Sequence, residues 1–162
     1  MRQKIASLLF GMIFLLIPAT AVHAAQAIPE ERQLPRLVDR ADLLTEEEET
    51  ALLEQLDEIS ERQQCDVAVV TVDGLDGKTS TAYADDFYEY NGYGYGPGDD
   101  GILLLISMED RDWAITTYGS AIRAFTDAGL EYLVAQFRPD LSDGAYYEAF
   151  TCFAEQCDRF LT

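Results

Sequence analysis

Histidine is almost absent from this chain, and its scarcity excludes several kinds of active site. The single histidine, His23, stands in an N-terminal stretch that we expect to be removed on export. A mature chain without histidine excludes a Ser-His-Asp or Cys-His nucleophile system and a histidine-ligated zinc site. Any chemistry must therefore rely on carboxylates, tyrosines, the few basic side chains, or a hard metal ion held by oxygen atoms.

Long apolar runs are also lacking, because the only one is too short to cross a bilayer comfortably. Arg2 and Lys4 precede an apolar stretch of 13 residues, 5–17, whereas a membrane-spanning helix needs about 20 residues. Small residues up to Ala24 favour a signal peptide cleaved there, and an uncleaved N-terminal anchor is the alternative. We expect a secreted or extracytoplasmic protein with no transmembrane span after signal removal. The predicted division of the chain is a signal peptide over 1–24, a linker over 25–36 and one domain over 37–162.

Basic residues are few beside the acidic ones. The chain has 11 Lys and Arg against 30 Asp and Glu. Without the signal, which holds two of the basic residues, the formal charge is 9 minus 30, or −21. This excess argues against nucleic acid and against direct binding to an anionic membrane surface, since both need a basic footprint. It favours cations or a basic partner, and the alternative is that the acid serves solubility alone.

The three cysteines do not form an obvious framework. They are Cys65, Cys152 and Cys157, an odd number that leaves one thiol over or indicates an intermolecular bond in an exported protein. Cys152 and Cys157 lie on different faces of a predicted helix and are poorly placed to pair. A bond from Cys65 to one of them would join a buried strand to the last helix, and this alternative stays open.

The apolar patterns predict an α/β domain. The continuous apolar runs predict buried strands, and the Thr-x-x-Glu sequence of Thr45 and Glu48 predicts a capped helix. Helices on both sides of buried strands indicate a three-layer α/β/α sandwich with a small mixed sheet. The predicted strands are 65–72, 102–108 and 113–118, and the predicted helices are 45–63, one beginning at Thr79 or Ser80, 126–137 stopped by Pro139, and one after Gly144.

Acidic residues at strand and helix ends are the candidate metal ligands. Carboxylates on loops suit a hard cation such as Ca²⁺ (or Mg²⁺). Ca²⁺ takes six to eight oxygen ligands. Two of the acidic pairs bracket the strand 102–108 and are roughly 25 Å apart at ~3.3 Å per residue, so they do not share one ion. Taken singly, each acid also suits an ordinary turn or helix start. The candidates are Asp39, Asp99, Asp100, Asp110, Asp112 and Asp127.

Two further groups of residues have open interpretations. The glycine-rich stretch 92–98 either forms a mobile lip over a pocket, with Tyr93 and Tyr95, or is a bent crossover whose tyrosines pack on the sheet. It lacks the G-x-x-x-x-G-K-[ST] pattern of a nucleotide loop. Arg111 and Arg123 are the candidate contacts for a phosphate or a partner.

Three stretches together resemble the TPM domain family. They are "LVDRADLLTEEEETALLEQLDEI", "CDVAVVTVDGL" and "YADDFYEYNGYGYGPGDDGILLLISMEDRDWAITTYGSAIRAFTD", and the similarity runs from about Leu37 to Tyr146. The resemblance implies an α/β/α sandwich outside the cytoplasm. It also implies one of three roles known in the family, namely acid phosphatase activity, calcium binding, or assembly and repair of membrane complexes.

The resemblance assigns several acids to family positions. Asp39 corresponds to the family's early "VD", Asp110 and Arg111 to its "DR", and Asp127 to its late "TD". Asp100 occupies the place of the usual Asn before Gly, so this chain adds a charge to that loop.

These features lead to two functional expectations. The preferred one is a divalent-cation-binding interaction or assembly module at the cell envelope, whose partner is a basic envelope or membrane-complex protein. The alternative is a metal-dependent acid phosphatase that hydrolyses phosphate monoesters, in which the ion polarises the phosphoryl group and activates water. The strong negative charge repels a phosphate ester and favours the first.

Overall fold

The computed structural model describes residues 28–162, so the predicted signal peptide and its cleavage site lie outside the described residues. A mixed sheet with helices on both faces makes up this part of the chain. The strands are β1 (Leu37–Asp39), β2 (Asp66–Val72), β3 (Gly101–Ser107) and β4 (Asp112–Tyr118). The helices are α1 (Glu46–Gln63), α2 (Ser80–Tyr90), α3 (Ala121–Ala124), α4 (Asp127–Asp143) and α5 (Tyr146–Leu161). Within 28–162, no helix is both long and apolar enough to span a bilayer.

The four strands stand in the order β1-β2-β3-β4. The first three are parallel, and β4 returns antiparallel to β3 through a tight turn. All seven residues of β2 and all seven of β3 are buried, as the apolar runs predicted for central parallel strands. The sheet therefore has one end at which β1, β2 and β3 finish, called here the carboxyl edge, and an opposite end at which β2 and β3 begin, called the amino edge.

Alternate residues of the central strands face two separate cores. Val67, Val69 and Leu104 pack with α1, α4 and α5 on one face. Ala68 and Leu103 pack with α2 on the other. This alternation is the period of two of a β-strand, and it confirms the predicted α/β sandwich with a small mixed sheet between helical layers.

Side-chain caps begin three of the helices. Thr45 forms the predicted capping box with Glu48, while Thr79 and Thr126 accept from the backbone N–H groups of Ala82 and Gly129. Each cap satisfies a donor that the helix itself leaves unpaired. The predicted starts of these helices are confirmed.

The prediction that Pro139 ends the fourth helix is wrong, because α4 continues to Asp143. Proline removes only the bond to the carbonyl of Ala135, a residue exposed to water. The helix ends instead at Gly144, whose φ of 78° belongs to a left-handed cap with N–H contacts to the carbonyls of Asp140 and Leu141.

The segment before β1 lies against the domain over its described part. The backbone N–H of Gln33 donates to the carbonyl of Asn91 at 2.8 Å. The hydroxyl of Tyr93 donates to the carbonyl of Pro35 at 2.6 Å. Arg36 is only 4% exposed. Residues 28–36 therefore contact the fold, although we expected them as part of a linker.

Arg36 forms a buried ion pair with Asp66 at the beginning of β2. Its Nε donates to Asp66 Oδ1 at 2.8 Å, and the two side chains are 5% and 2% exposed. The remaining guanidinium nitrogens reach Asp57 and Glu61 on α1, at 2.8 and 3.0 Å. Burial by itself lowers the pKa of Arg36, but the hydrogen bond to Asp57 and the charge of Asp66 outweigh it, and the pKa is raised. The guanidinium thus stays charged in the interior.

The second oxygen of Asp66 fixes the glycine-rich loop. Asp66 Oδ2 accepts from the backbone N–H of Gly94 at 2.8 Å, and Arg32 approaches the same oxygen at 3.9 Å. One carboxylate therefore joins the N-terminal segment, β2 and the loop that precedes β3.

The three cysteines are free thiols in the structure, so the bond considered for Cys65 is not present. Cys65 and Cys157 are both buried in the core beneath α1 and α5, and Cys152 is half-buried. Burial, helped by the charges of Asp100 and Asp66, raises the pKa of the Cys65 thiol to about 12. A thiol with such a pKa is a poor nucleophile near neutral pH.

We predict that Asp66→Ala destabilises the fold far more than Asp57→Ala. Both carboxylates contact Arg36 at 2.8 Å, but Asp57 is 47% exposed and Asp66 is 2% exposed. Removing Asp66 takes away the buried partner of Arg36 and the acceptor of the Gly94 N–H, and should cost about 3–5 kcal/mol. Removing the exposed Asp57 should cost less than about 1 kcal/mol.

Urea unfolding measures the loss of stability in each variant, provided that the denaturant slope m equals that of the wild type. Equal losses in the two variants would contradict the assigned role of Asp66. The double variant Arg36→Met, Asp66→Leu should recover part of the stability, because no buried charge is then left without a partner.

Candidate functional site

The predicted ligands do not gather at one place in the fold. Asp39, Asp110 and Asp112 belong to the carboxyl edge, because they end β1, follow β3 and begin β4. Asp99 and Asp100 precede β3 at the amino edge. In open sheets with parallel strands, ligands bind most often outside the carboxyl ends of the strands, so a ligand site is expected at the carboxyl edge.

Asp39 is occupied by hydrogen bonds from its own loop. Its Oδ2 accepts from the backbone N–H groups of Leu43 and Leu44 at 2.8 and 2.9 Å. Its Oδ1 accepts from the hydroxyl of Thr71, near the end of β2. The carboxylate therefore closes the turn between β1 and α1 and ties it to the neighbouring strand.

Asp110 braces a second loop of the carboxyl edge. Its Oδ2 accepts from the backbone N–H of Leu75 and from the hydroxyl of Ser107, both at 2.9 Å. Asp112 accepts from the backbone N–H of Trp113 at 2.9 Å. These contacts hold the loop after β2 against the turn between β3 and β4.

Close packing of backbone and side chains surrounds the acids of the amino edge. Asp100 Oδ1 accepts from the backbone N–H of Ser120, and the carbonyl of Asp99 accepts from the hydroxyl of Tyr88 at 3.0 Å. A Cβ on Gly101 would lie 2.1 Å from that tyrosine oxygen, so only glycine fits at the beginning of β3. Packing therefore explains the glycine that opens β3.

These positions do not fit the metal site that the family resemblance implies. Among residues 28–162, no group of three or more His, Cys, Asp or Glu side chains is placed to hold a metal ion. The oxygens of Asp39 and one oxygen of Asp110 already accept from loop donors. Asp127 is exposed in the first turn of α4, where a negative charge suits the helix dipole.

The glycine-rich loop is pinned at several points. Tyr93 is 3% exposed and packs between Phe87 and Tyr88. Burial raises the pKa of Tyr93. Tyr95 lies nearer the surface and donates to Glu61 Oε2 at 3.0 Å. Tyr93 thus packs against the domain, as in the interpretation of this stretch as a bent crossover. The loop also borders a groove of ≈ 790 Å³ beside residues 28–30.

The two predicted arginine contacts lie at opposite ends of the domain. Arg111 is at the tip of the β3–β4 turn, with a φ of 50°, whereas Arg123 is on α3, beyond the end of β4. They do not clamp one phosphate. A groove at the carboxyl edge instead places Arg111 together with Arg138 of α4.

The sequence patterns do not identify three residues that matter in the structure, Arg36, Asp66 and Arg138. Arg36 and Asp66 were placed in a linker and in an apolar strand, although a charge inside an apolar strand is a signal of a buried partner. Arg138 has the pattern of an ordinary solvated helix residue. Only its position beside the β3–β4 turn distinguishes it.

Solved structures of bacterial proteins share this fold. The N-terminal domain of a protein from P. gingivalis matches with a TM-score of 0.69 and 19% identity over 83% of this chain and 88% of that one. The N-terminal domain of the cg2496 protein from Corynebacterium glutamicum matches with a TM-score of 0.62 and 20% identity, over 86% of each chain. The BA42 protein from Bizionia argentinensis has a TM-score of 0.63 and 16% identity over 73% of this chain and 81% of that one.

Sequence comparison gives the family. The UPF0603 protein YdjH from Bacillus subtilis (strain 168) is 25% identical over 143 residues, which are 88% of this chain and 53% of that protein. This chain thus spans about half the length of the curated relative. The family model described as the TPM domain matches residues 37–160. By this match the chain belongs to the TPM domain family.

Proposed function

We propose that this chain is an extracytoplasmic binding module that recognises a basic partner protein at the cell envelope. The observation that carries the proposal is that the acid-bearing loops at the sheet edges are braced by hydrogen bonds to backbone N–H groups. Asp39, Asp110 and Asp100 each hold a loop in this way. A braced surface loses little entropy on binding, which favours recognition.

The charge of the chain supports a basic partner. The excess of 30 acidic over 11 basic residues produces a negative potential that steers cationic surfaces and repels anionic ones. Several acids of α1 are exposed to solvent, among them Glu47 and Glu54. Electrostatic complementarity of this kind acts mainly on the rate of association and on the choice of partner.

Phosphate ester hydrolysis is the second candidate, and one observation favours it. Ser107 donates to Asp110 at 2.9 Å beside Arg111, which brings a hydroxyl, a carboxylate and a guanidinium to the carboxyl edge. However, Asp110 Oδ2 also accepts from the Leu75 N–H, so the pair serves as a brace. We rank hydrolysis second for this reason and because the negative field opposes a dianionic substrate.

We expect no turnover of a generic phosphate monoester. The assay uses p-nitrophenyl phosphate with Ca²⁺, Mg²⁺, Mn²⁺ or chelator, on wild type and on Asp110→Asn. Rates should equal the buffer blank in every arm. Hydrolysis that persists through successive purification steps and disappears in Asp110→Asn would overturn the binding proposal.

We predict that partner association follows the charge of this chain. A partner cross-linked in envelope extracts is identified, purified and titrated against variants by stopped flow. Glu47→Gln with Glu54→Gln should slow association by roughly two- to tenfold at low salt, and Arg123→Gln should accelerate it. Added salt should reduce both differences. An acidic partner, or association rates indifferent to salt and to these substitutions, would contradict the proposal.

The prediction of a bound Ca²⁺ (or Mg²⁺) is tested separately at Asp39. If Asp39 acts through its loop bonds, Asp39→Ala loses acceptors for two backbone N–H groups and should cost about 1–3 kcal/mol. Thermal melts should show the same loss with chelator and with millimolar Ca²⁺. Asp127→Ala, which removes an exposed carboxylate, should cost less than about 1 kcal/mol.

A different pattern would identify Asp39 as a metal ligand. In that case Ca²⁺ raises the wild-type midpoint, Mg²⁺ does not reproduce the rise, and Asp39→Ala abolishes it while matching wild type in chelator.

A further inference from the structure

A groove at the carboxyl edge has features that the proposed function does not use. It lies between the β3–β4 turn and the corner at which α4 meets α5, with a volume of ≈ 650 Å³. Arg111 approaches from the turn and Arg138 from α4. Trp113, Leu141 and Tyr146 form apolar and aromatic parts of its lining.

Two of the five arginines within residues 28–162 that form no ion pair line this groove. Within residues 28–162, the ion pairs of basic side chains involve Arg32, Arg36, Arg62 and Lys78. Arg111 and Arg138 take part in none of these pairs, and both are exposed. The lining therefore holds two positive side chains against the one carboxylate of Asp112, which makes a local positive site in a negative field. Guanidinium groups bind carboxylates and phosphates through paired N–H donors.

The lining also offers apolar and aromatic surface to the non-charged part of a ligand, called here its apolar body. Trp113 is half-buried and meets Phe137 edge-on, with ring centroids 6.4 Å apart. Tyr146 is half-buried beside Phe150, and Leu141 packs on the same core. Ligand sites of this type combine apolar and aromatic walls with a few placed polar groups.

Both arginines project from positions where the backbone is fixed by local structure. Arg111 has a φ of 50° at the tip of a turn whose base is closed by the pairing of Ser107 with Asp112. Arg138 precedes Pro139, within a helix that ends at the left-handed cap of Gly144. Binding therefore has to order the two side chains but not the backbone that carries them.

We propose that this groove binds a small organic acid, a monoanionic carboxylate attached to an apolar or aromatic body. Arg111 and Arg138 bind the carboxylate, and Trp113 with Tyr146 contacts the body. A monoanion is favoured over a phosphate dianion because Asp112 lies in the lining and the whole chain is negative, so each added negative charge on the ligand is opposed. This inference does not depend on the basic partner proposed above.

Trp113 allows a direct test, since it is the only tryptophan of the chain. The probe is 3-phenylpropionate, titrated at constant ionic strength while tryptophan fluorescence is recorded. Neutral 3-phenylpropanamide and dianionic phenyl phosphate are the matched controls. We expect a saturable change with the carboxylate and at least roughly tenfold weaker binding of the amide, which lacks the charge that the arginines recognise.

Variants separate the groove from general charge. Arg138→Gln and Arg111→Asn should each weaken binding of the carboxylate by about tenfold or more. Arg138→Lys should weaken it less, because lysine keeps the positive charge and loses only the paired N–H donors of the guanidinium. Asparagine is chosen at 111 because it tolerates a positive φ. Arg123→Gln, at the far end of the domain, is the matched control and should leave binding unchanged.

Four results would overturn the proposal. They are no saturable signal, equal binding of the amide, tighter binding of phenyl phosphate, or an equal loss in Arg123→Gln. The ¹H–¹⁵N spectrum provides a second readout, in which shifts on adding the probe should centre on the Trp113 indole and on the backbone of Leu141. Shifts centred elsewhere would also refute the site, and unchanged spectra of the free variants would show that they remain folded.

Discussion

The buried pair of Arg36 and Asp66 is the interaction on which the rest of the structure depends. Removing two charges from water is costly, and the cost is offset only when nearly every hydrogen-bonding group on both partners is used. Here α1 supplies Asp57 and Glu61 to the guanidinium, and Gly94 supplies an N–H to the carboxylate. The strand β2, the first helix, the N-terminal segment and the glycine-rich loop therefore have to assemble together.

This constraint separates the two ends of the sheet into different chemical surroundings. At the amino edge the basic side chain is buried and its charge is used inside the protein. At the carboxyl edge the carboxylates of Asp39 and Asp110 are turned toward backbone N–H groups, while Arg111 and Arg138 remain exposed. Asp39 and Asp110 thus brace loops there, and two cationic groups are available to an external ligand beside the carboxylate of Asp112.

The sequence predicted the parts of the fold that follow from local chemistry. Threonine caps and continuous apolar runs identified α1, α2, β2 and β3, because capping and burial act over a few residues. It did not predict β1, which is only three residues long, Leu37–Asp39. It also ended α4 at Pro139, since sequence does not tell whether the freed carbonyl of Ala135 reaches water.

The candidate site was harder to predict because it depends on pairing across the fold. Spacing identified acids at strand ends, but it did not tell which of them accept from loop N–H groups and which stay free. In a chain with an excess of 19 negative charges, a basic residue has many acids available to neutralise it. Five arginines of residues 28–162 nevertheless form no ion pair. Two of them lie beside the tryptophan, and this combination makes the groove at the carboxyl edge the more specific feature of this surface.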